Sequence, residues 1–205
     1  MINKILIFIC LLVIPSFSNS VQCDTATILQ KRLEKIDSFQ AEFHQKVIDT
    51  KNTLIQEGSG YIWLHRPNQI HWKMIYPDES DFISDGNTLW FYSPSIKQVS
   101  IYCMKNIIHN TPLMLVIHNQ SHDWKQYHLL QQGDKFIFTP KKLYSNIIKF
   151  IIDVSKNGNI TQLSIFEKSG VCIYYILSKP NSAFIDPKKF QFSIPPEFTI
   201  DDHRK

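Results

Sequence analysis

The sequence predicts a mainly β protein with a few helices, in which most strands follow one another as an antiparallel meander. Aromatic residues make up 13% of the 205-residue chain, and such residues favour strands. From Glu57 onward, apolar residues repeatedly alternate with polar ones, which is the period of a half-buried strand. Turn signals recur at short and fairly even spacing, as expected between neighbouring strands of one large sheet.

The N-terminus has the features of a cleaved secretory signal. Lys4 supplies a positive charge before the apolar run 5–14, and Pro15 and several small residues follow it. A run of roughly ten residues is too short to cross a bilayer, which takes about 20. We therefore expect an exported protein, rather than one held by an N-terminal membrane anchor.

The position of the signal cleavage remains open. Cleavage after Ser20 and cleavage after Cys23 both fit the sequence, while the bulky Gln22 argues against lipid attachment at Cys23. We assign residues 1–20 to the signal, with cleavage as late as residue 23. Residues 24–205 are predicted to form a single soluble domain.

The charge and the cysteines of the chain give weaker indications. The formal net charge of +4 is mild and does not indicate a nucleic-acid partner. Export would permit a disulfide between Cys103 and Cys172. Two buried free thiols fit the sequence equally well.

A first helix is predicted directly after the signal. Asp24 or Thr25 can cap its N-terminus. Its apolar stripe consists of Leu29, Leu33 and Ile36 at i, i+4 and i+7. Asp37-Ser38 either ends or re-caps this helix, and Phe39 and Phe43 continue an apolar spacing of four.

A second helix is predicted in the middle of the strands. Thr111-Pro112 resembles a cap with proline at the first helical position. Leu113, Val116 and Ile117 then follow at i, i+3 and i+4. A helix inserted between strands must pack on the sheet or close an opening in it.

Glycine-containing pairs predict the turns between the later strands: Asp85-Gly86, Gly133-Asp134, Asn157-Gly158 and Ser169-Gly170. The last predicted strand contains Phe190, Phe192 and Ile194. Several strands have large apolar residues on both faces, as in the segments 89–92 and 171–177. Such a sheet either encloses a ligand or packs as an ordinary core, and the residues alone favour neither.

The sequence shows no recognisable catalytic or metal-binding motif. His118 and His122 are the one histidine pair at helical metal spacing, but no Glu lies between them and further ligands are missing. The chain has only six glycines and lacks nucleophile-elbow and phosphate-loop motifs. We expect no enzyme activity, no metal and no cofactor.

Several sequence blocks, in order over nearly the whole chain after the signal, carry a family resemblance. They include Ser38-Phe39-Gln40-Ala41-Glu42-Phe43, Arg66-Pro67-Asn68, Asp85-Gly86-Asn87-Thr88-Leu89-Trp90-Phe91-Tyr92, Asn110-Thr111-Pro112-Leu113-Met114-Leu115, Asn119-Gln120-Ser121-His122-Asp123-Trp124 and Asp201-Asp202-His203-Arg204-Lys205. Together these blocks resemble the outer-membrane lipoprotein carrier family, LolA. One departure is Ile70, which stands where the family usually has an aromatic residue.

The resemblance implies both a fold and a function. The fold would be an incomplete, strongly curved antiparallel β-barrel with a helical lid over an apolar cavity. The function would be that of a monomeric periplasmic chaperone for the acyl chains of triacylated lipoproteins. An inner-membrane ABC transporter would load it, and the outer-membrane receptor LolB would unload it. LolB is itself a lipoprotein of related fold, so the missing lipid-attachment signal favours the carrier.

The resemblance also assigns candidate site residues. Arg66 would be the latch of the lid, because a buried guanidinium needs oxygen acceptors that the last carbonyls of a lid helix can supply. Alternation and resemblance together predict the cavity residues Leu33, Phe39, Phe43, Ile70, Trp72, Phe82, Leu89, Phe91, Leu113 and Val116. About half of them are expected to touch the ligand. There are two alternatives: a carrier of another lipid or hydrophobic peptide, and a lipid-ester hydrolase.

Overall fold

The computed structural model of the chain describes residues 24–108, 112–142 and 146–204. The predicted signal 1–20, its cleavage sites and the capping Thr111 lie outside the described residues. Within the described ranges, no helix is long and apolar enough to pass through a bilayer.

Strands dominate the described chain, and twelve of them form one open, curved sheet. They are β1 (Ser38–Ile48), β2 (Leu54–His65), β3 (Gln69–Tyr76), β4 (Ser80–Asp85), β5 (Thr88–Ser93), β6 (Gln98–Cys103), β7 (Tyr127–Gln132), β8 (Lys135–Pro140), β9 (Ile147–Val154), β10 (Ile160–Glu167), β11 (Cys172–Asn181) and β12 (Thr199–Asp202). The predicted mainly β, strongly curved antiparallel architecture is confirmed.

The sheet consists of two antiparallel meanders joined at the middle. Its strand order is β12-β6-β5-β4-β3-β2-β1-β11-β10-β9-β8-β7. The first meander runs from β1 to β6 and the second from β7 to β11, and the pairing of β1 with β11 connects them. The final strand, β12, lies parallel to β6 at one edge of the sheet.

Four α-helices and two 3₁₀ segments accompany the described strands. The α-helices are α1 (Thr25–Leu33), α2 (Met104–Ile108), α3 (Pro112–His118) and α4 (Ser121–Trp124). The 3₁₀ segments are Pro94–Ile96 and Pro187–Phe190. The predicted helices after the signal and after residue 111 are confirmed, and from here on α2 and α3 together are named the lid.

The structure decides between two alternatives for the first helix and contradicts the predicted final strand. Phe39 and Phe43 do not extend the first helix but lie in β1, where every second residue is buried. A spacing of four is also twice the strand period, so these two residues alone fit both structures. The predicted final strand is a 3₁₀ segment ending at Phe190, followed by irregular chain to Pro195. The prolines around it cannot supply the N–H donors of a ladder.

The predicted glycine turns are confirmed, and one of them also positions the first helix. Gly158 has φ +94°, a left-handed conformation that favours glycine, and a Cβ there would lie 2.7 Å from the Arg32 carbonyl oxygen. The turn between β9 and β10 therefore packs directly against the end of α1. Arg32 strengthens this contact, because its Nη1 donates to the Val154 carbonyl at 2.5 Å and to Asp134 Oδ1 at 2.7 Å.

Large side chains occupy both faces of the sheet because each face is covered by a different part of the chain. On the inner face, Phe138 stacks on Phe150 with ring centroids 4.0 Å apart, and both are fully buried. On the outer face, Tyr92 stacks at 5.1 Å on Phe198 of the C-terminal segment. The same segment brings Phe192 to 5.5 Å from the Tyr92 ring. The apolar outer residues of β5 are thus explained by this cover.

Candidate functional site

An apolar cavity of about 240 Å³ lies on the inner face of the sheet, beneath the lid. Strands β3, β4 and β5 line one side, the lid covers it, and strands β10 and β11 line the other side. Its lining residues are Ile70, Trp72, Phe82, Leu89, Ile107, Leu113, Met114, Leu163, Ile165 and Tyr175. Apart from the indole N–H of Trp72 and the hydroxyl of Tyr175, these side chains offer only apolar surface. A cavity of this kind suits a hydrocarbon chain.

Three aromatic rings from three strands form part of the cavity wall and its support. The Phe43 and Trp72 ring centroids are 4.3 Å apart, and the Tyr175 ring meets Trp72 edge-on at 4.9 Å. Burial raises the pKa of Tyr175 to about 12. Phe43 is 2% exposed and packs behind the cavity wall. The contacts among the three rings therefore connect β1, β3 and β11.

The ten predicted cavity residues fall into three sets in the structure. Five of them line the cavity: Ile70, Trp72, Phe82, Leu89 and Leu113. Four others belong to the buried core beside it: Leu33, Phe39, Phe43 and Val116. The tenth, Phe91, stacks on Phe82 with centroids 4.5 Å apart. Their part in binding a ligand stays a prediction.

Five lining residues were missing from the sequence prediction: Ile107, Met114, Leu163, Ile165 and Tyr175. Leu163 and Ile165 alternate along β10 and so carry a strand signal. What the sequence does not contain is the pairing of β1 with β11, which turns the second meander toward the first. Without knowledge of that pairing, one cannot tell which part of the chain faces the inner side of β10 and β11.

Arg66 connects three parts of the chain at the edge of the cavity. Its Nε donates to the Ile36 carbonyl at 2.8 Å, and its Nη1 donates to the Val116 carbonyl at 3.1 Å and to the Ile117 carbonyl. Val116 and Ile117 lie in the last turn of α3, where carbonyl groups have no partner within the helix. The guanidinium therefore ties the lid to the link between α1 and β1.

The charge of Arg66 persists in this environment. Burial lowers its pKa to about 10, while the carboxylates of Asp37 and Glu34 act in the opposite direction. A pKa of about 10 keeps the guanidinium charged at neutral pH. A buried charge needs acceptors, and for Arg66 these acceptors are the carbonyl groups of the lid and of Ile36.

The histidine pair noted in the sequence flanks a buried carboxylate. His118 Nδ1 lies 2.6 Å from Asp123 Oδ2, and His122 Nε2 lies 3.0 Å from Asp123 Oδ1. Asp123 is fully buried, so the group braces the junction of α3 and α4. In the part of the chain that the structure describes, no group of three His, Cys, Asp or Glu side chains is arranged to hold a metal ion.

The two cysteines of the folded domain are free thiols. Cys103 ends β6 and Cys172 begins β11, and both are half-buried. The two strands are not neighbours in the sheet.

A curved sheet that encloses an apolar cavity beneath a helical lid is the arrangement expected of a carrier for hydrophobic ligands. Comparison with known protein families identifies which carriers these are. The family model described as "Outer membrane lipoprotein carrier protein LolA" matches residues 34–193. This chain belongs to the LolA family. The family is one of carriers, so the protein is a carrier rather than an enzyme.

Similar proteins from enterobacteria support the assignment over the whole chain. An outer-membrane lipoprotein carrier protein of Erwinia tasmaniensis is 45% identical over 203 residues, covering 99% of this chain and 100% of its own. The protein of the same description from Salmonella typhimurium is 43% identical over 196 residues, covering 96% of this chain and 97% of its own.

Solved structures show the same fold at much lower sequence identity. An uncharacterized conserved protein of Thermus thermophilus superimposes with a TM-score of 0.56 at 8% identity, covering 86% of this chain and 97% of its own. A chain from the MucA/MucB complex of Pseudomonas aeruginosa has a TM-score of 0.50 at 12% identity, covering 82% of this chain and 60% of its own. At these identities the likeness concerns the fold alone.

Proposed function

We propose that this protein is a periplasmic chaperone that binds the acyl chains of lipoproteins and carries them between the two membranes. The observation that carries the proposal is the apolar cavity beneath a lid whose α3 carbonyls accept hydrogen bonds from the half-buried Arg66. The curated relatives are described as outer-membrane lipoprotein carriers. On this proposal, residues 24–205 act as one exported domain once the signal has been removed.

The size of the cavity supports a lid that moves. The cavity of about 240 Å³ is smaller than the roughly 300–1,000 Å³ typical of ligand sites. An acyl chain would therefore have to displace the lid as it enters. On this proposal, the lid side chains in their closed position occupy part of the space that an acyl chain would fill.

Closure of the lid also makes release possible. Each buried methylene contributes about 0.8 kcal/mol, so a sheathed chain of about sixteen carbons would gain roughly 13 kcal/mol. A carrier with that affinity would not give up its cargo. A hydrogen bond to a charged group contributes about 1.5–3 kcal/mol. The hydrogen bonds from Arg66 to the lid therefore favour the closed state and oppose retention of the bound acyl chain.

The partners follow from the direction of transport. The proposed cargo is a triacylated lipoprotein, released from the inner membrane by an ABC transporter and accepted at the outer membrane by the receptor LolB. The proposed carrier acts as a monomer, and neither nucleic acid nor a cofactor has a part in it. The relatives' description as lipoprotein carriers supports the cargo, while transporter and receptor are inferred from the family resemblance.

The proposal can be tested by release of lipoproteins from spheroplasts. Purified protein added to spheroplasts should bring lipoproteins into the supernatant as a soluble complex, and native mass spectrometry should identify a triacylated protein as the bound species. A bound phospholipid or peptide would instead indicate another hydrophobic cargo. A supernatant without complex would contradict the proposal.

A matched pair of variants sharpens this test. Phe82 lines the cavity and Ile75 lies on the neighbouring strand β3 outside the lining, and their side chains are 41% and 48% exposed. Phe82→Glu places a charge against the acyl chain and should abolish release. Ile75→Glu introduces the same charge at a similar exposure and should release lipoproteins as the unchanged protein does.

A further inference from the structure

Two polar side chains lie side by side on the inner face of the sheet. Gln45 of β1 and Tyr175 of β11 are direct partners in the antiparallel ladder. Directly opposite residues point to the same face, with Cβ atoms about 4.5–5.5 Å apart. The other buried residues on this face of β1 are Phe39, Ala41, Phe43 and Val47.

Neither side chain satisfies its hydrogen-bonding groups within the described part of the protein. Gln45 is 7% exposed, and its Oε1 is buried without a hydrogen-bond partner. Tyr175 makes ring contacts with Phe43 and Trp72, but its hydroxyl has no hydrogen bond to a described residue. Buried polar groups are nearly always paired, so the unpaired Gln45 Oε1, next to a cavity-lining hydroxyl that is also without a described partner, indicates a ligand group that pairs with both.

Gln45 and Tyr175 lie between the two ends of the strands that line the cavity, one covered by the lid and the other exposed. At one end of β3, Ile70 faces the lid across the cavity. At the other end the side chain of Tyr76 is 59% exposed. Gln45 lies near this second end, because a Cβ added to Gly58, the cross-strand partner of Gln45, would be 3.1 Å from Gln45 Oε1 and 3.0 Å from the Tyr76 carbonyl. A chain that enters from the exposed end with its tail toward the lid would leave its head near Gln45 and Tyr175.

We infer that Gln45 and Tyr175 form a polar subsite that binds the carbonyl linkage at the head of a bound acyl chain. The inference rests on the proposed function and identifies which part of the cargo is recognised by hydrogen bonds. The Tyr175 hydroxyl donates to the carbonyl oxygen of an ester or amide. Gln45 Oε1 accepts from the N–H that only an amide linkage offers, so an amide-linked chain satisfies both residues.

The subsite predicts a selectivity that packing alone does not give. A site built to hydrogen-bond a ligand discriminates against an analogue without the group, because its own polar atoms are then left unpaired. A pure hydrocarbon of similar bulk should bind less favourably than its apolar area suggests. An amide-linked acyl chain should bind better than an ester-linked chain of the same length.

The test compares a synthetic lipopeptide with amide- and ester-linked palmitoyl chains against diphenylhexatriene, a fluorescent hydrocarbon without hydrogen-bonding groups. Tyr175→Phe removes only the hydroxyl, and Gln45→Met keeps the length of the side chain without its amide. In each variant the ratio of lipopeptide affinity to hydrocarbon affinity should fall by about fivefold, the usual contribution of one hydrogen bond. Tyr174→Phe makes the same chemical change on the opposite face of β11 and should leave the ratio unchanged.

A second lipopeptide with ester-linked chains only separates the two linkage types. The unchanged protein should prefer the amide-containing lipopeptide, and Gln45→Met should lose that preference. Equal affinity ratios in all four proteins would overturn the inference while leaving lipopeptide binding, and therefore the proposed function, intact. Binding of the hydrocarbon without any binding of lipopeptide would reject both. Thermal unfolding of each variant shows whether the substitution disturbs the fold. Because Tyr175→Phe and Gln45→Met change different residues, each variant tests the inference independently of the other.

Discussion

Arg32 and Arg66 show how single residues determine which surfaces of this protein meet. Both guanidinium groups are directed at main-chain carbonyls that secondary structure leaves unpaired: Val154 for Arg32, and Val116 and Ile117 for Arg66. Arg32 is 8% exposed and joins α1 to the end of β9. Arg66 joins the lid to the rest of the fold in the same way. Arg32 thus holds α1 against the sheet, while the proposed role of Arg66 is to hold a helix that opens.

The buried phenol of Tyr175 should make the fold sensitive to alkali. Burial raises the pKa of Tyr175 from 10.0 to about 12. Between about pH 10 and 12 the unfolded chain therefore holds fewer protons at this residue than the folded one, and stability falls as pH rises. Tyr175→Phe should reduce that fall, measured by urea unfolding at about pH 9 and about pH 11.

The control for this change is another tyrosine that the fold leaves open to solvent. Tyr76 is 59% exposed, and Tyr76→Phe should keep the same alkaline loss of stability as the unchanged protein. An identical loss in Tyr175→Phe would mean that the phenol ionises as readily when folded as when unfolded.

At the scale of elements, the close pairing of β2 with β3 depends on a residue without a side chain. A Cβ at Gly60 would lie 1.9 Å from the carbonyl oxygen of Lys73 and 2.8 Å from the Phe43 ring. Gly60→Ala must therefore separate the two strands or displace the aromatic wall. We expect a loss of at least about 1–3 kcal/mol in the free energy of unfolding, the usual cost of overpacking.

The turn between β7 and β8 offers a matched alanine substitution. Gly133 has φ +64° and no heavy atom within 4 Å of an added Cβ. Gly133→Ala should cost only the strain of a left-handed residue, about 1 kcal/mol. Equal destabilisation by the two substitutions in urea unfolding would show that the contact at Gly60 relaxes without cost.

The elements also show what sequence patterns can and cannot predict here. The glycine turns were predictable because a positive φ is a local requirement that a dipeptide such as Asn157-Gly158 meets by itself. The start of β1 was not, since Phe39 and Phe43 fit a helix and a strand equally. Only the intervening burial of Ala41 identifies the strand period.

The site divides in the same way. Ile70, Trp72 and Phe82 could be predicted because alternation along β3 and β4 places their side chains on one face of the sheet. Tyr175 could not, because its neighbour Tyr174 has the same chemistry and only the strand pairing decides which of the two faces inward. Long-range pairing, rather than local propensity, therefore completes the cavity.

At the scale of the whole molecule, the proposed transport cycle depends on the balance between a closed and an open lid. Arg66→Leu removes the bonds to the lid and to Ile36, so closure loses its main polar contribution. The variant should accept lipoprotein but pass it on poorly, which a reconstituted transfer to outer-membrane receptor would measure. Transfer at the unchanged rate would exclude Arg66 as the latch.

A control arginine tests whether charge alone matters. Arg204 pairs with Asp202 near the C-terminus and is 49% exposed at its side chain. Arg204→Leu removes the same charge from the protein without touching the lid. Its transfer rate should match that of the unchanged protein if the effect of Arg66→Leu comes from the lid bonds.

The joint between the two meanders has a consequence for how the chain reaches this fold. Each meander is assembled from neighbours in sequence, whereas the pairing of Gln40 with Asn181 spans 141 residues. Contacts at such separations form late, because the entropy of closing the intervening loop must be overcome first. The pairing of β11 with β1 is therefore expected to limit the rate of folding, and any chain in which it has not formed exposes the apolar inner face of each meander to aggregation.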